Sequence, residues 1–287
     1  MANVEKEKRA REYRGVRDEI RKEQLKTKNM SFKEKLAYFW YYYKIHTIVG
    51  ILVLIFAGNF IYDIATAKDS AFNGIMLNSY GLSAENLQAG FSEYAGIDLN
   101  EYDCYIDTNS SLSVTSLSEY DMATSQKIIA QFQTNELDAV IFDSQAFNNY
   151  SGNEMFLDLR TVLSEEELSR YQDNLYYVDY AVIRAAREAA EKDITAENSD
   201  YGPPVVPDAA EILAEAELHR HPETMAEPVP VGVFMTDSAF IKKTECYSSL
   251  IPVYGVPAST QRPDAAVKYL NYLWSDSADF SEMIEAY

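Results

Sequence analysis

The stretch of residues 45–62, IHTIVGILVLIFAGNFIY, constrains this chain most, because it contains no Asp, Glu, Lys or Arg. As a helix it spans about 27 Å, close to the hydrocarbon thickness of a bilayer. Asn59 is its only strongly polar interior residue. The aromatic run of residues 38–43 precedes it, and such rings favour the headgroup boundary. This pattern predicts a transmembrane helix over residues 45–67, in preference to the core helix of a soluble protein.

The charge distribution predicts how this helix crosses the membrane. Residues 1–44 hold 13 Lys and Arg against 7 Asp and Glu, a net of +6, and the whole chain carries −20, which leaves −26 for the remainder. Basic flanks stay in the cytoplasm. We therefore expect residues 1–44 to form a cytoplasmic tail with a juxtamembrane helix, and residues 68–287 to lie outside. Ala65-Thr66-Ala67 fits a signal-peptidase site, but the preceding region is far longer than in ordinary signal peptides. An uncleaved anchor is favoured over release after Ala67.

Composition narrows the functions open to residues 68–287. Their acidic balance argues against nucleic acid as a partner. Cys104 and Cys246 are too few for a disulfide scaffold, and two free thiols are favoured over one long-range disulfide. His219 and His221 stand two residues apart and face different ways on a helix. With no P-loop, G-x-S-x-G or G-x-G-x-x-G motif, we predict no catalytic residue, no metal ligand and no cofactor, and we do not expect an enzyme.

The order of apolar and polar segments predicts an α/β domain. Strands are predicted at residues 71–77, 101–107, 137–143, 174–179, 230–235 and 250–256. Helices are predicted to begin at Ser31, Ser83, Ser118, Ser164 and Pro263, from capping patterns and from the preference of proline for a first helical turn. The helix after Ser118 is expected to bury Met122, Ile128, Ile129 and Phe132. Residues 193–228 are rich in proline and charge, which predicts an exposed, mobile insertion.

Three segments carry a resemblance to a known family. They are residues 126–143 (QKIIAQFQTNELDAVIFD), residues 155–163 (MFLDLRTVL) and residues 252–274 (PVYGVPASTQRPDAAVKYLNYLW). Together they resemble the type-2 extracellular, periplasmic-type solute-binding proteins, over about residues 72–280. The resemblance implies a two-lobed, periplasmic-binding-protein-like α/β fold with a ligand cleft. It also implies that membrane-anchored relatives in Gram-positive bacteria serve a transporter, sense a ligand or have lost ligand binding.

In such a fold a ligand binds at the carboxyl ends of the strands. The candidate ligand-binding residues at those positions are Asn78, Ser79, Tyr80, Asp107, Thr108, Asn109, Asp143, Ser144, Tyr176, Tyr177, Thr236, Asp237 and Tyr254. The same residue types also form turns and caps, so Asp143 either contacts a solute or caps a helix. The carboxylates among them favour a neutral or cationic solute over an anion.

Two functions follow from these observations. The first is a single-pass, membrane-anchored extracytoplasmic protein that captures or senses a small polar solute, with a transporter or another envelope protein as a candidate partner. The alternative is a cell-envelope interaction protein with a degenerate binding fold and no small-molecule ligand. A buried polar cleft favours the first, and a flat or apolar-lined surface favours the second.

Overall fold

The computed structural model describes residues 18, 20, 21, 30–113, 118–193, 207–248 and 250–284. The chain divides into two compact units, Met1–Ala67 and Lys68–Tyr287. The two units are described separately.

The first unit contains one long helix, α1 (Phe32–Thr66), which buries none of its residues. It begins with the predicted capping box, in which the Ser31 side chain accepts from the Glu34 N–H and the Ser31 N–H donates to the Glu34 carboxylate at 2.7 Å. By length and composition, α1 is able to cross a membrane, a test that a signal sequence near an N-terminus also passes. The helix is therefore compatible with a membrane anchor.

The second unit is a mixed α/β domain. Its strands are β1 (Asp69–Met76), β2 (Tyr102–Asp107), β3 (Ala139–Asp143), β4 (Leu175–Asp179), β5 (Pro228–Phe234) and β6 (Pro252–Gly255). Its helices are α2 (Ala84–Ala95), α3 (Glu119–Gln133), α4 (Ser144–Ser151), α5 (Glu165–Tyr171), α6 (Tyr180–Asp193), α7 (Ala209–Leu218), α8 (Ala239–Thr244) and α9 (Pro263–Trp274). Short 3-10 turns lie at Leu159–Thr161, Gln172–Asn174, Pro222–Thr224 and Ser281–Met283.

All six strands form one open sheet in the order β2-β1-β3-β6-β5-β4. Strand β1 pairs in parallel with β2 and with β3, whereas the β3–β6, β6–β5 and β5–β4 pairs are antiparallel. The carboxyl ends of β1, β2, β3 and β5 therefore lie at one edge of the sheet, which we call the carboxyl edge. Strands β4 and β6 run the other way and end at the opposite edge, which we call the amino edge.

The sheet lies between two hydrophobic clusters because side chains of successive strand residues point to opposite faces. On β3, Ala139 and Ile141 join one cluster, whereas Val140 and Phe142 join the other. Helices α2, α8 and α9 cover the first face, and α3, α4 and α7 cover the second. All five residues of β3 are buried, as expected for a strand in the middle of a covered sheet.

The close approach of the Phe147 ring to β5 and β6 depends on two glycines. Gly232 and Gly255 face each other in the register, and a Cβ at either position would lie within 2.7 Å of the Phe147 ring. That ring stacks on Phe156 with centroids 4.3 Å apart. The paired glycines thus make room for an aromatic stack that holds α4 against the sheet.

Most predicted helix starts are confirmed, and two predictions of burial are wrong. Ser83, Ser118 and Ser164 are N-caps, and Pro263 occupies the first turn of α9. Helix α3 buries Thr124, Ile128 and Phe132. Met122 and Ile129 are exposed instead, because α3 presents a narrower face to the sheet than four apolar positions would need.

The expected division of residues 68–287 into two lobes is not confirmed. The antiparallel β3–β6 pair joins early and late parts of the chain into one sheet, and these residues form one compact unit. Within the predicted insertion of residues 193–228, α7 packs against the domain through buried Ala216 and through Asn148, which donates to Glu215 at 2.7 Å. Residues 194–206 lie outside the described residues. Mobility of the insertion stays a prediction.

Candidate functional site

The carboxyl edge of the sheet brings together most of the predicted ligand-binding residues. Those that lie there are Asn78, Ser79, Tyr80, Asp107, Thr108, Asn109, Asp143, Ser144, Thr236 and Asp237, each at or just after the end of β1, β2, β3 or β5. This grouping follows from strand direction alone, since parallel strands end at the same edge.

Asn78 connects the loops that follow three different strands. Its side-chain amide donates to the Leu112 carbonyl at 2.9 Å and to the Asp143 carboxylate at 2.6 Å, and its side-chain oxygen accepts from the Leu112 N–H at 2.9 Å. The residue has φ +63°, a left-handed conformation that asparagine adopts more readily than most residues. Asn78 therefore fixes the loop after β2 against the turn between β3 and α4.

Asp143 is the N-cap of α4. Its Oδ1 accepts from the backbone N–H groups of Gln145 at 3.2 Å and Ala146 at 3.1 Å, and its Oδ2 accepts from Asn78. The side chain is 6% exposed and has no Lys or Arg partner among the described residues. Of the two roles that the sequence left open for Asp143, the structure shows the cap.

Asp107 stabilises the loop after β2 in a different way. It accepts from the N–H groups of Asn109 and Ser110 and from the Ser110 hydroxyl, and it forms an ion pair with Lys127 at 2.6 Å. Burial acts to raise the pKa of Asp107, but the hydrogen bonds and the charge of Lys127 outweigh it, so the pKa is lowered. This carboxylate is neutralised within the domain.

Of the two neighbouring hydroxyls, that of Ser79 has hydrogen-bond partners and that of Thr108 has none. Ser79 donates to backbone carbonyls of Met76 and Thr108, both at 3.0 Å. The Thr108 hydroxyl is buried and has no hydrogen-bond partner. An unpartnered buried hydroxyl is costly, but Thr108 Oγ1 is closed off from solvent and Thr108 does not line the two depressions of this edge.

Two adjoining depressions line the carboxyl edge and share Asp143, Gln145 and Leu250. We call them together the strand-end groove. One has a volume of ≈ 340 Å³ and is lined also by Asn78, Tyr80, Ser111, Leu112, Ser113 and Asp121. The other has a volume of ≈ 280 Å³ and is lined also by Ser144, Ala209, Ile212, Leu213, Ser248 and Ile251. The first part is polar and the second is mostly apolar.

The charge of the strand-end groove is negative. Asp121 and Asp143 line it, and no lysine or arginine occurs among its described lining residues. Tyr80 is 63% exposed and presents an aromatic face beside them. Such a surface suits a neutral or cationic group with an apolar portion, and it disfavours an anion.

Three predicted residues lie away from the strand ends that form the carboxyl edge. Tyr254 is fully buried in the core, where its hydroxyl donates to the Ala266 carbonyl at 2.7 Å. Tyr176 and Tyr177 belong to β4, whose carboxyl end lies at the amino edge. The structure does not bring these three residues to the groove, because β4 and β6 run antiparallel to the strands that end there. The predicted residues that lie at the carboxyl edge without lining the groove are Ser79, Asp107, Thr108, Asn109, Thr236 and Asp237.

Tyr176 packs against a histidine instead of a ligand. The His219 ring stacks on Tyr176 with centroids 4.1 Å apart, and its Nδ1 lies 2.7 Å from the Tyr177 carbonyl oxygen. Burial lowers the pKa of His219, against the smaller raising effects of that carbonyl and of Glu215. Cys104 and Cys246 are buried free thiols, and the described residues contain no cluster of His, Cys, Asp or Glu that could hold a metal ion.

A further depression lies at the amino edge of the sheet. It has a volume of ≈ 740 Å³ and lies at the start of β1, β2 and α9, lined by residues that include Ser70, Gly96, Tyr102, Arg262 and Lys268. Its surface carries both signs of charge, with Asp98, Glu101 and Asp264 beside the two cations.

Only Asn78, Tyr80, Asp143 and Ser144 of the fifteen lining residues were predicted from the sequence, and the eleven that escaped include Asp121, Gln145, Leu213 and Leu250. Asp121 was visible only as part of a helix-capping pattern, and it does accept from the Ser113 N–H at 2.8 Å. Gln145 follows the predicted pair Asp143 and Ser144 directly, so a window one residue wider after β3 would have included it. Leu213 and Leu250 reach the groove only through the tertiary fold, and no local pattern marks them.

Comparison with known proteins supplies no relative. No protein-family model matches the sequence, and neither a curated protein nor a solved structure matches the chain. The function is therefore argued from the groove and from helix α1.

Proposed function

We propose that the chain is a membrane-anchored protein whose α/β domain lies outside the cytoplasm and captures or senses a small polar solute in the strand-end groove. Helix α1 is the anchor, with residues 1–44 on the cytoplasmic side. The proposal extends the resemblance to type-2 solute-binding proteins. In this proposal the domain provides one wall of a ligand cleft in place of two closed lobes.

One observation carries this proposal: a negative, partly apolar groove lies where three parallel-running strands end, and it is held open by hydrogen bonds among Asn78, Leu112 and Asp143. Ligands of open α/β sheets bind at this edge. Because its charged lining residues are carboxylates, we propose a neutral or cationic solute, with the Tyr80 ring as a stacking surface.

A second candidate function is the envelope interaction protein without a small ligand. It is favoured by the number of polar side chains in the groove that already have partners in the domain, among them Asn78, Asp121 and Asp143. It is also favoured by the small size of the groove, since ligand pockets usually fall between about 300 and 1,000 Å³ and its two parts have volumes of only ≈ 340 and ≈ 280 Å³. A transporter or another envelope protein is the candidate partner in both cases.

The two candidates are separated by a thermal-shift screen on the fragment of residues 68–287. We expect this fragment to unfold cooperatively, because both hydrophobic clusters lie within it. A solute that binds only the folded state raises its melting temperature, with about 2.7 kcal/mol of stabilisation at a hundred times Kd. The screen should contain sugars, amino acids, short peptides and polyamines, each also tested at high salt. A screen without any shift would favour the envelope interaction protein.

The anchor and its orientation are tested separately. Protease added outside intact cells that produce the full chain is expected to digest residues 68–287 and to spare the N-terminal tail. Protection of residues 68–287 would contradict the proposed orientation. Recovery of a released product beginning at Lys68 would show cleavage after Ala67 in place of a permanent anchor.

A further inference from the structure

Helix α1 carries a regular stripe of residues along one face. The positions Ile45, Ile48, Leu52, Ile55, Asn59 and Tyr62 follow one another at alternating steps of three and four. This spacing averages 3.5 residues and is the seam of a left-handed pair of helices. At 100° per residue these six positions fall within one side of α1, and Ala57 and Ile61 fall on the opposite side. We call the six residues the α1 seam.

Asn59 is the polar residue of the α1 seam. Its amide offers one acceptor and two donors, and within the described part of the chain that side chain makes no hydrogen bond. It lies 14 residues after Ile45, which is about 21 Å along the helix axis. In the proposed anchor this position is surrounded by hydrocarbon, where an unsatisfied amide is costly and where Asn side chains hydrogen-bond across helix pairs.

The chemistry of Asn59 points to the identity of the partner helix. A parallel pair of identical helices related by a two-fold axis places the same residue of each chain at the same depth. Because a carboxamide is both donor and acceptor, two Asn59 side chains satisfy each other directly. Any other partner would need its own polar residue at that depth and in that register. The remaining seam residues are aliphatic or aromatic and pack as knobs into holes.

We propose that α1 pairs with α1 of a second copy of this chain along the α1 seam, with the two Asn59 side chains hydrogen-bonded to each other across it. The inference rests on the proposed membrane anchor. It makes the protein a parallel dimer in the membrane, which would present two strand-end grooves from one assembly.

The test uses the full chain in native membranes and two matched variants, Ile55→Cys in the α1 seam and Ile61→Cys on the opposite face. A disulfide needs Cα atoms within about 7 Å, so an oxidant is expected to cross-link Ile55→Cys into a dimer and to leave Ile61→Cys monomeric on non-reducing gels. The wild-type chain is the background control, because Cys104 and Cys246 are only 6% and 2% exposed. Alkaline carbonate extraction in parallel reports whether the chain is integral to the membrane.

Adding Asn59→Leu to the Ile55→Cys chain tests the hydrogen bond. We expect the monomer–dimer equilibrium to shift about three- to thirtyfold toward monomer, whereas Asn59→Gln, which keeps the carboxamide, is expected to retain most of the cross-link. Equal cross-linking at positions 55 and 61, or no effect of Asn59→Leu in carbonate-resistant membranes, overturns the dimer and leaves the anchor standing. Extraction of the chain by carbonate overturns both proposals.

Discussion

The two ends of strand β3 each carry an aspartate, and their surroundings differ. Asp138 precedes the strand at the amino edge and is fully buried, with Arg262 at 2.9 Å, the Thr260 hydroxyl at 2.7 Å and the Asn73 N–H at 2.9 Å as partners. Asp143 closes the strand at the carboxyl edge, where its partners are two helix N–H groups and the Asn78 amide. One carboxylate is neutralised by a cation, and the other is held only by neutral donors.

This difference indicates that the two edges of the sheet have different roles. At the amino edge, the ion pair of Asp138 and Arg262 joins β3 to the loop before α9. The two charges neutralise each other, so the contact is structural. At the carboxyl edge, the negative charge of Asp143 remains beside an open groove that contains Asp121 as well. We therefore expect the carboxyl edge to attract a cationic group. At the amino edge, Arg262 already neutralises the charge of Asp138 within the protein.

The largest expected effect comes from removing the cation at the amino edge. Arg262→Met would leave Asp138 buried without its ion-pair partner, and breaking a buried pair in this way costs about 3–5 kcal/mol. Burial already raises the pKa of Asp138, against the lowering effects of Thr260, Arg262 and the Asn73 N–H. A protonated Asp138 needs no cation, so the loss should shrink as the pH falls toward the raised pKa. Urea denaturation of residues 68–287 at two pH values measures this loss in the free energy of unfolding.

Arg160→Met is the matched control for that variant. Arg160 pairs with Asp158 at 2.6 Å, but its side chain is 53% exposed, and exposed pairs contribute about 0–1 kcal/mol. The double variant Asp138→Asn with Arg262→Met should recover much of the loss, because no buried charge remains. An Arg262→Met loss no larger than that of Arg160→Met would contradict a structural ion pair at the amino edge.

The next effect concerns the cap at the carboxyl edge. Asp143→Ala removes the N-cap of α4 and should lower the free energy of unfolding by about 0.5–2 kcal/mol. If a solute binds the strand-end groove through this carboxylate, the variant should also lose the solute-induced rise in melting temperature. Ser164→Ala, which removes the N-cap of α5 outside the groove lining, should lose similar stability and keep that rise. A rise of full size in Asp143→Ala would remove Asp143 from the proposed site.

Local chemistry explains which features were predictable from the sequence. Ser83, Ser118 and Ser164 were identified as helix starts because a cap depends only on residues three positions apart. The sequence of α9 also contains a core-facing stripe, because Ala266, Tyr269, Leu270 and Leu273 have the i, i+3, i+4, i+7 spacing of one helix face, and all four side chains are buried. Strand β3 contains four consecutive apolar residues, which is the pattern of a strand buried on both faces.

The direction of a strand in the sheet depends on contacts that are distant in sequence. Nothing in residues 174–179 or 250–256 specifies that these strands run antiparallel to β1, and this is why Tyr177 and Tyr254 were grouped with residues at the carboxyl ends of β1, β2 and β3. The same long-range β3–β6 pairing produces one sheet where two lobes were expected. The mostly apolar part of the groove could not be predicted from the sequence either, because Leu213 and Leu250 reach it from separate parts of the chain.

A third prediction tests whether Lys127 neutralises the charge of Asp107, which also lies at the carboxyl edge. The pKa of Asp107 is lowered in the folded protein, so its stabilising effect is complete above the unfolded pKa of about 4 and is lost as the pH falls through the lowered value. Lys127→Met should therefore cost about 1 kcal/mol near neutral pH and progressively less below about pH 4. Lys242→Met is the control, since Lys242 pairs with Asp237 where both side chains are about 60% exposed. A loss that is independent of pH would show that Lys127 acts through packing alone.

The smallest effect on stability is expected for Tyr80, and it tests the groove most directly. The side chain is 63% exposed, and surface substitutions away from buried features usually change stability by less than about 0.5 kcal/mol. Tyr80→Ala should therefore leave the melting temperature of residues 68–287 nearly unchanged in the absence of solute. Aromatic stacking contributes about 0.5–1.5 kcal/mol, so the variant should weaken solute binding about two- to tenfold. Tyr105→Ala removes a tyrosine that is 50% exposed on β2 and does not line the groove, and it should change neither quantity. If both variants weaken binding equally, the solute does not occupy the strand-end groove, and the contrast between the two ends of β3 describes only how the sheet is stabilised.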